Sequence, residues 1–402
     1  MQQNRAFTCA ALTAALLGCM PVQKAPPSEA PPTVEQVPPT PRKAAPPTSY
    51  EISPEQKRDM YLGCWSFFNS RKLEKIVDCY HEDATFEVVG SQCPIAKGPA
   101  AYLERLSDFL LAFPDATGKL QLTLTFENTV VGVALIRGTH TGPLKTPEGE
   151  IPATNKKVGF LFGHVVEFKQ NRMVSDRWFR DPNTILSQIG KSKIKGRKAL
   201  TESAEEKPTP IGEGSNQEKM NVGLFNNYFA AFNTHDLDRV EPMLADDYVY
   251  SSQFAAKDYE GKAQAMKYHE NMLNAFGDMK IEHENVFGAG DYVVGFSTFT
   301  GTNDGPLRAW ALWKGSDRPV SLRGLDILRV SDSKVQEHLY FADGSALMAQ
   351  LGVLEPSESS ETCPKGNQPP AADAEAQAVP TADVDLDAEQ AAEGKEKPEP
   401  KK

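Results

Sequence analysis

The chain carries one stretch of sequence twice. Phe68-Asn69 answers to Phe232-Asn233, Leu73 to Leu237 and Asp83 to Asp247. Gly98 answers to Gly261, and Ala112-Phe113-Pro114-Asp115 to Ala275-Phe276-Gly277-Asp278. Gly138-Thr139-His140-Thr141-Gly142-Pro143 answers to Gly301-Thr302-Asn303-Asp304-Gly305-Pro306. Asp181 and Gln188-Ile189-Gly190 are matched by Asp343 and Gln350-Leu351-Gly352, and the offset stays between 162 and 164 throughout. Solenoid repeats recur at roughly 20 to 50 residues, so a period this long means tandem domains of one fold. The comparison also exposes the side chains that the copies do not share.

The ends read differently from the middle. Residues 1–19 read as an export signal: Arg5 starts it, and Ala10 to Leu17 is an apolar run too short to span a membrane. Leu16-Leu17-Gly18-Cys19 resembles the lipobox of bacterial lipoproteins. That resemblance implies cleavage before Cys19, lipid on the cysteine, and a protein anchored in a membrane, with the outer membrane or cell surface favoured because Met20 follows. Several acyl chains on one cysteine anchor far better than one. Residues 20–53 are proline-rich and read as an extended tether. Residues 354–402 form an acidic Ala/Pro/Glu tail with the composition of disorder, so the net charge of -11 is partly a property of the tail. Residues 191–215 read as a solvated linker, basic at first and then acidic and Pro/Gly-rich. No basic stripe interleaved with aromatics points to nucleic acid.

Two domains remain, 54–190 and 216–353, each large enough for one core. Beyond Cys19, export leaves Cys64, Cys79, Cys93 and Cys363, whose three possible pairings the sequence does not choose between. Neither Cys-x-x-Cys nor a metal-ligand spacing is present, and no cofactor or metal is expected.

Each unit opens with a helix. In the first, Met60, Tyr61, Cys64, Trp65 and Phe68 mark residues 54–69, and Leu73, Ile76, Val77 and Tyr80 make the stripe of a short second helix. A strand over 85–89 and a third helix from Pro99 to Phe113 follow. Strands at 120–127, 129–140, 157–168 and 173–179 come next, with a turn at Gln170-Asn171, and a last helix covers 183–189. Helices first and an antiparallel sheet afterwards predict an α+β fold, helices packed on a strongly curved sheet around a cone-shaped cavity. This order resembles the nuclear transport factor 2-like superfamily, and within it the SnoaL-like polyketide cyclase and ester cyclase branch. The residues that carry it are Phe68-Asn69, His81-Glu82-Asp83, Gly98, Ala112 to Asp115, Arg137 to Gly142, Asp181-Pro182 and Leu186 to Gly190.

The resemblance implies a small apolar ligand of polyketide, steroid or ester type, or acid/base chemistry on one. Isomerases of the superfamily place an aspartate base at the position of Val88, with about Ser252 in the second copy, so neither copy keeps that base. Cyclases of the fold use an aspartate near the last strand, which points to Asp181 and Asp343; both also stand where a helix N-cap belongs. His140 belongs to a segment where the ester-cyclase branch often has histidine, and Asn303 replaces it in the second unit. His164 should share a strand face with Phe160 and Phe162, and its counterpart is near Asp326; Asp176 has His338 as its counterpart. The expected pocket lining is Trp65, Phe86, Val88, Phe113, Phe162, His164 and Trp178 in the first unit. In the second it is Phe229, Tyr248, Asn303, Trp310, Asp326, Tyr340 and Asp343. Three functions stay open: binding of a small apolar molecule, which the aromatic content favours; a cyclase, isomerase or hydrolase using Asp181 and His140; and an interaction module whose sheet faces pair between domains or in a homodimer.

Overall fold

Two capping boxes start the two domains. Ser53 accepts from the backbone of Gln56, whose side chain returns to Ser53, and this launches α1 (Pro54–Asn69) with proline in its first turn. Ser215 and Glu218 do the same for α5 (Asn216–Phe232). The computed structural model describes residues 51–91, 95–146, 149–201, 209–308 and 312–354, all within one compact unit. The signal, Cys19, most of the tether and tail, Cys93, Cys363 and Trp310 lie outside the described residues.

In the first domain α1 is followed by α2 (Leu73–Ile76), β1 (Tyr80–Val88), β2 (Ile95–Lys97) and α3 (Gly98–Ala112). Then come β3 (Thr117–Phe126), β4 (Thr129–Thr139), the small hairpin β5 (Leu144–Thr146) and β6 (Gly149–Ile151), β7 (Lys157–Lys169), β8 (Arg172–Phe179) and α4 (Pro182–Gln188). The second domain repeats this with α5, α6 (Leu237–Val240), β9 (Leu244–Ser252), β10 (Tyr259–Glu260), α7 (Lys262–Ala275), β11 (Lys280–Ala289) and β12 (Tyr292–Thr302). It closes with β13 (Leu307–Arg308), β14 (Leu312–Trp313), β15 (Pro319–Ser331), β16 (Lys334–Ala342) and α8 (Gly344–Gln350). The sheet orders are β2-β1-β8-β7-β4-β3 and β10-β9-β16-β15-β12-β11, each six strands with one parallel pair. This is the expected α+β architecture in both copies. The second helix ends earlier than its apolar stripe suggests, because Tyr80 opens β1 instead.

The repeated signposts are structural pins. Asn69 brackets Gly118 through both backbone groups, and Asn233 brackets Ile281 in the same way. Asp115 holds the backbone and hydroxyl of Thr139, and Asp278 those of Thr302.

Strand alternation sends one face of each sheet into its own cone and the other toward the neighbouring domain. Val89, Leu124, Val133, Val165 and Phe179 pack with Phe287, Val294, Leu325, Ile327 and Phe341 in a third core between the sheets. Phe126 stacks on Phe287 with centroids 5.0 Å apart, the Arg177 guanidinium lies 4.5 Å from the Phe296 ring centroid, and Arg323 pairs with Glu87. Glu87, next to the inward Phe86, therefore serves the interface.

The start of the linker is not the solvated segment its lysines suggest. Leu200 donates to Gly159, and buried Arg197 bonds the Ser252 carbonyl at 2.8 Å and pairs with Asp258 at 2.8 Å. Ile194 packs on the second core. Further on, Thr125 and Ile211 form a parallel bridge that covers the β3 edge. A disulfide joins Cys64 on α1 to Cys79 ahead of β1.

Candidate functional site

The first cone is filled by its own rings. Trp65 meets Phe162 edge-on at 6.3 Å, Phe162 meets Trp178 at 5.7 Å, and Tyr102 meets Trp178 at 5.5 Å and Phe86 at 4.7 Å. Behind them runs a closed polar chain. Tyr61 lies 3.0 Å from His164 Nδ1, His164 Nε2 lies 2.6 Å from Asp176, and the Tyr80 hydroxyl donates to the other Asp176 oxygen at 2.5 Å. All four residues are buried, and both nitrogens of His164 have partners. Asp176 is thus an inward side chain rather than a surface one.

The second cone lacks two rings that the first one has. Tyr102 becomes Ala265 and Phe162 becomes Gly324, so two rings leave the cone. Tyr340 leans over Gly324 so closely that a Cβ there would lie 2.5 Å from its ring. Between α5, α7 and the concave sheet lies a small, partly open cavity with about 50 Å³ in which the centre of a water-sized molecule fits. Rings of Phe229, Tyr250, Phe254, Tyr268 and Tyr340 form much of its wall, and Asp326, His338, His269 and Ser297 are among its polar residues.

These polar groups are ordered by the strands that carry them. His338 Nε2 lies 2.7 Å from Asp326 Oδ1, and His283 Nε2 lies 3.1 Å from Oδ2. Burial alone would raise the Asp326 carboxyl, but hydrogen bonds from His283 and His338 outweigh it and hold the group well below the usual carboxylate range. With Nε2–H given to that carboxylate, His338 has Nδ1 left over. This nitrogen is buried and has no protein partner, and His338 is 3% exposed. His269 is pushed down to about 3 by burial and then by His338, so it stays a neutral ring. The Tyr228 hydroxyl stands 3.4 Å from its Nε2. A buried carboxylate orienting an imidazole is the arrangement of a ligand-orienting hydrogen-bond group or of a general acid/base.

The expected site residues divide between these places. Phe229, Asp326 and Tyr340 line the second cavity. Trp65, Phe86, Phe162, His164 and Trp178 belong to the first cone, Phe113 lies tilted against His140 with ring centroids 5.3 Å apart, and Val88 is buried on β1. Tyr248 is fully buried in the second core. His140 takes the Thr154 backbone N–H on Nδ1 at 3.2 Å and stands 3.0 Å from its hydroxyl, which ties the β4 end to the loop before β7. Burial, then Lys191, lowers its pKa. Asn303 does the same work by bonding Ala275, Gly305 and Ser316. Asp181 caps α4 through Asn183 and Thr184, and Asp343 caps α8 through Ala346. Neither Asp181, His140, Asn303 nor Asp343 is among the residues lining the second cavity. Among the described residues no group of three His, Cys, Asp or Glu is arranged to hold a metal ion.

His269 and His283 have leucines, Leu106 and Leu120, as counterparts, so the shared pattern gave no reason to single them out. The signal was in the differences: four of the seven histidines, His235, His269, His283 and His338, fall in the second domain.

The SnoaL-like polyketide cyclase family profile matches residues 56–189 and 224–351. The chain belongs to that family, in two copies. Solved structures similar to one copy include a protein of Jannaschia sp. CCS1 described as a SnoaL-like polyketide cyclase: 23% identity, 35% of this chain, 96% of that one, TM-score 0.32. AclR of Streptomyces galilaeus, described as a hydroxylase, has 26% identity over 35% of this chain and 85% of its own, with TM-score 0.31. IdmH of Streptomyces antibioticus, described as a polyketide cyclase, has 21% identity over 33% of this chain and 99% of its own, with TM-score 0.29. No curated protein matched.

Proposed function

We propose that this SnoaL-like protein binds a small, mostly apolar molecule in its second domain and orients it by one hydrogen bond to His338 Nδ1. The observation that carries this is the unpartnered Nδ1, buried in an aromatic cavity and fixed from behind by Asp326. Apolar pockets with a few convergent polar groups are the usual form of small-molecule sites. The first domain then acts as a filled platform whose sheet braces the second. Native mass spectrometry of the purified full chain tests this. One small molecule per chain is expected, displaced by the apolar dye N-phenyl-1-naphthylamine with a stoichiometry of one. A chain that carries no ligand and takes up no dye sinks the proposal.

The same dyad favours one second reading. A neutral imidazole held by a carboxylate can take a proton next to a carbonyl, so the domain would be a cyclase or isomerase working through His338. His338→Gln separates the two: loss of affinity alone supports binding, and loss of turnover on a released ligand supports catalysis.

For location, we propose export and anchoring through lipid on Cys19. The Cys64–Cys79 disulfide supports an oxidising compartment. No described helix is long and apolar enough to cross a membrane. Cys19→Ala should abolish acyl labelling and move the protein to the soluble exported fraction. Unlabelled wild type would overturn the anchor.

A further inference from the structure

We propose that the alternating acidic stretch Asp383–Glu389 of the tail docks on the lysine face of the strap that follows α4, an intramolecular contact made by charge. The inference stands apart from the binding reading above.

The face is built from the strap outward. Lys191, Lys193 and Lys195 are exposed, and the residues between and beyond them are tied down. Ser192 Oγ donates to Asn183 Oδ1 at 2.5 Å and accepts from the Ile194 backbone at 3.0 Å. The Gly196 N–H donates to Ser187 Oγ at 2.9 Å, and Ile194 and Arg197 hold the strap to the second domain. The lysines therefore stand on a fixed backbone, which a partner does not have to order.

Three more lysines widen the face. Lys156 lays its ammonium against Gly190, where an added Cβ would fall 2.1 Å from Nζ. Lys157 opens β7, and Leu200 bonds Gly159 of the same strand, which brings exposed Lys198 alongside. Among the described residues the strap's ion pair is Arg197 with Asp258, and none of the six lysines has one.

The same chain supplies the complement. Residues 355–394 carry ten carboxylates and a single lysine. Four of the acids alternate with uncharged residues in Asp383-Val384-Asp385-Leu386-Asp387-Ala388-Glu389. Extended backbone puts every second side chain on one side, about 6.6 Å apart. Taken up in that form, the stretch offers one row of carboxylates to the lysines at 191, 193 and 195.

Position and reach agree. Val353 and Leu354, where the tail begins, pack on the same core as Ile194. From there a flexible chain of about thirty residues spans roughly 30 Å, close to the width of one domain. A lone surface ion pair contributes little and salt screens it, but tethering presents several pairs at once at high local concentration. An anionic membrane, the other surface such lysines suit, meets a chain of net charge -11 whose own tail competes for the face.

Zero-length carbodiimide crosslinking of the full-length chain, mapped by mass spectrometry, tests this. Links from 383–389 to the strap lysines should outnumber those to exposed Lys75 about tenfold at low salt. They should fall to the Lys75 level in roughly 1 M salt, where the screening length is about 3 Å. Asp385→Asn with Asp387→Asn should thin the links from the untouched Asp383 and Glu389. Lys193→Gln with Lys195→Gln should do the same at the untouched Lys191. Wild type with no excess over Lys75 overturns the proposal. If crosslinks are absent while Cys19→Ala protein sediments with phosphatidylglycerol vesicles, and Lys193→Gln with Lys195→Gln abolishes that sedimentation, the face belongs to a membrane and the tail assignment is wrong.

Discussion

Asp326 and His338 bond at 2.7 Å across the β15–β16 hairpin, and the equivalent β7–β8 hairpin makes the same contact at 2.6 Å with the residue types exchanged, His164 to Asp176. The duplicated fold has kept the pair and reversed its polarity. The reversal decides which nitrogen is free. On β7 the histidine lies beside Tyr61, which consumes Nδ1; on β16 it lines the cavity, and its buried Nδ1 has no hydrogen-bond partner. The first pair is therefore a pin between strands, and the second is a pin with one unused valence.

His164→Ala tests the structural half of that statement. It leaves Asp176 buried with only the Tyr80 hydroxyl, so unfolding in denaturant should show a loss of about 3 kcal/mol. Dye uptake by the second domain should be unchanged. Equal damage to both would mean that the two cones are not separable in role.

Ala265→Tyr tests the volume argument. It places a ring where the first domain keeps Tyr102, in a position that is fully buried. Overpacking should cost roughly 1–3 kcal/mol, and one-to-one dye binding should disappear. The reciprocal change, Phe162→Gly, should destabilise the first domain by about 3–5 kcal/mol, the usual cost of emptying an aromatic site. Retained dye binding in a folded Ala265→Tyr protein would place the ligand elsewhere.

Much of the fold was legible because the repeated residues are the ones that hold it. Asn69 and Asn233, or Asp115 and Asp278, make identical side-chain-to-backbone bonds, so they recur at a fixed offset. The site was less legible because it is built from what the copies do not share. His164 and Asp176 are diagonal neighbours on one face of the β7–β8 hairpin, where His164 pairs with Trp178 and Asp176 with Val166, and the bulge near the turn hides this from a simple count. The β15–β16 hairpin sets Asp326 and His338 on the same diagonal, with Asp326 paired to Tyr340 and His338 to Leu328. The linker was misread for another reason. A basic run looks solvated in sequence, and only the second domain's Ser252 carbonyl and Asp258 explain why Arg197 is buried.

That contact carries a prediction about access. Arg197 holds the loop that follows β9, and Phe254 of that loop lines the cavity. Thr184 of the first domain also reaches the Gln253 carbonyl, at 3.4 Å. Arg197→Ala leaves Asp258 unpaired and frees the loop, at a cost of roughly 3 kcal/mol or less because Asp258 is partly exposed. Dye association and release in stopped flow should both quicken several-fold, with a smaller change in equilibrium affinity. Rates identical to wild type would show that the strap does not control entry.

The two helix caps predict how stability follows pH. Burial, and after it the charge of Asp343, raises Asp181 from 3.8 to about 7. Burial raises Asp343 from 3.8 to about 6, against the pull of the Ala346 N–H and Arg180. Between about 4 and 7 the folded protein keeps protons on these caps that the unfolded chain has released, so their contribution falls as pH rises. His269 works in the opposite sense over part of this range, because the unfolded ring binds a proton that the folded one refuses. Asp326 adds its loss only below the ordinary carboxylate pKa. A single wild-type curve therefore mixes signs, and a difference isolates the cap. Asp181→Asn caps α4 about as well as aspartate and does not titrate. Its thermal midpoint should gain on wild type steadily from pH 5 to pH 8, with the gap level beyond, while Asp181→Ala should follow the same trend roughly 1 kcal/mol below Asp181→Asn because the cap is missing. If the Asp181→Asn gap were constant across that range, the Asp181 carboxyl would titrate at its ordinary value in the folded chain, and the buried pair of caps would carry no proton near neutral pH.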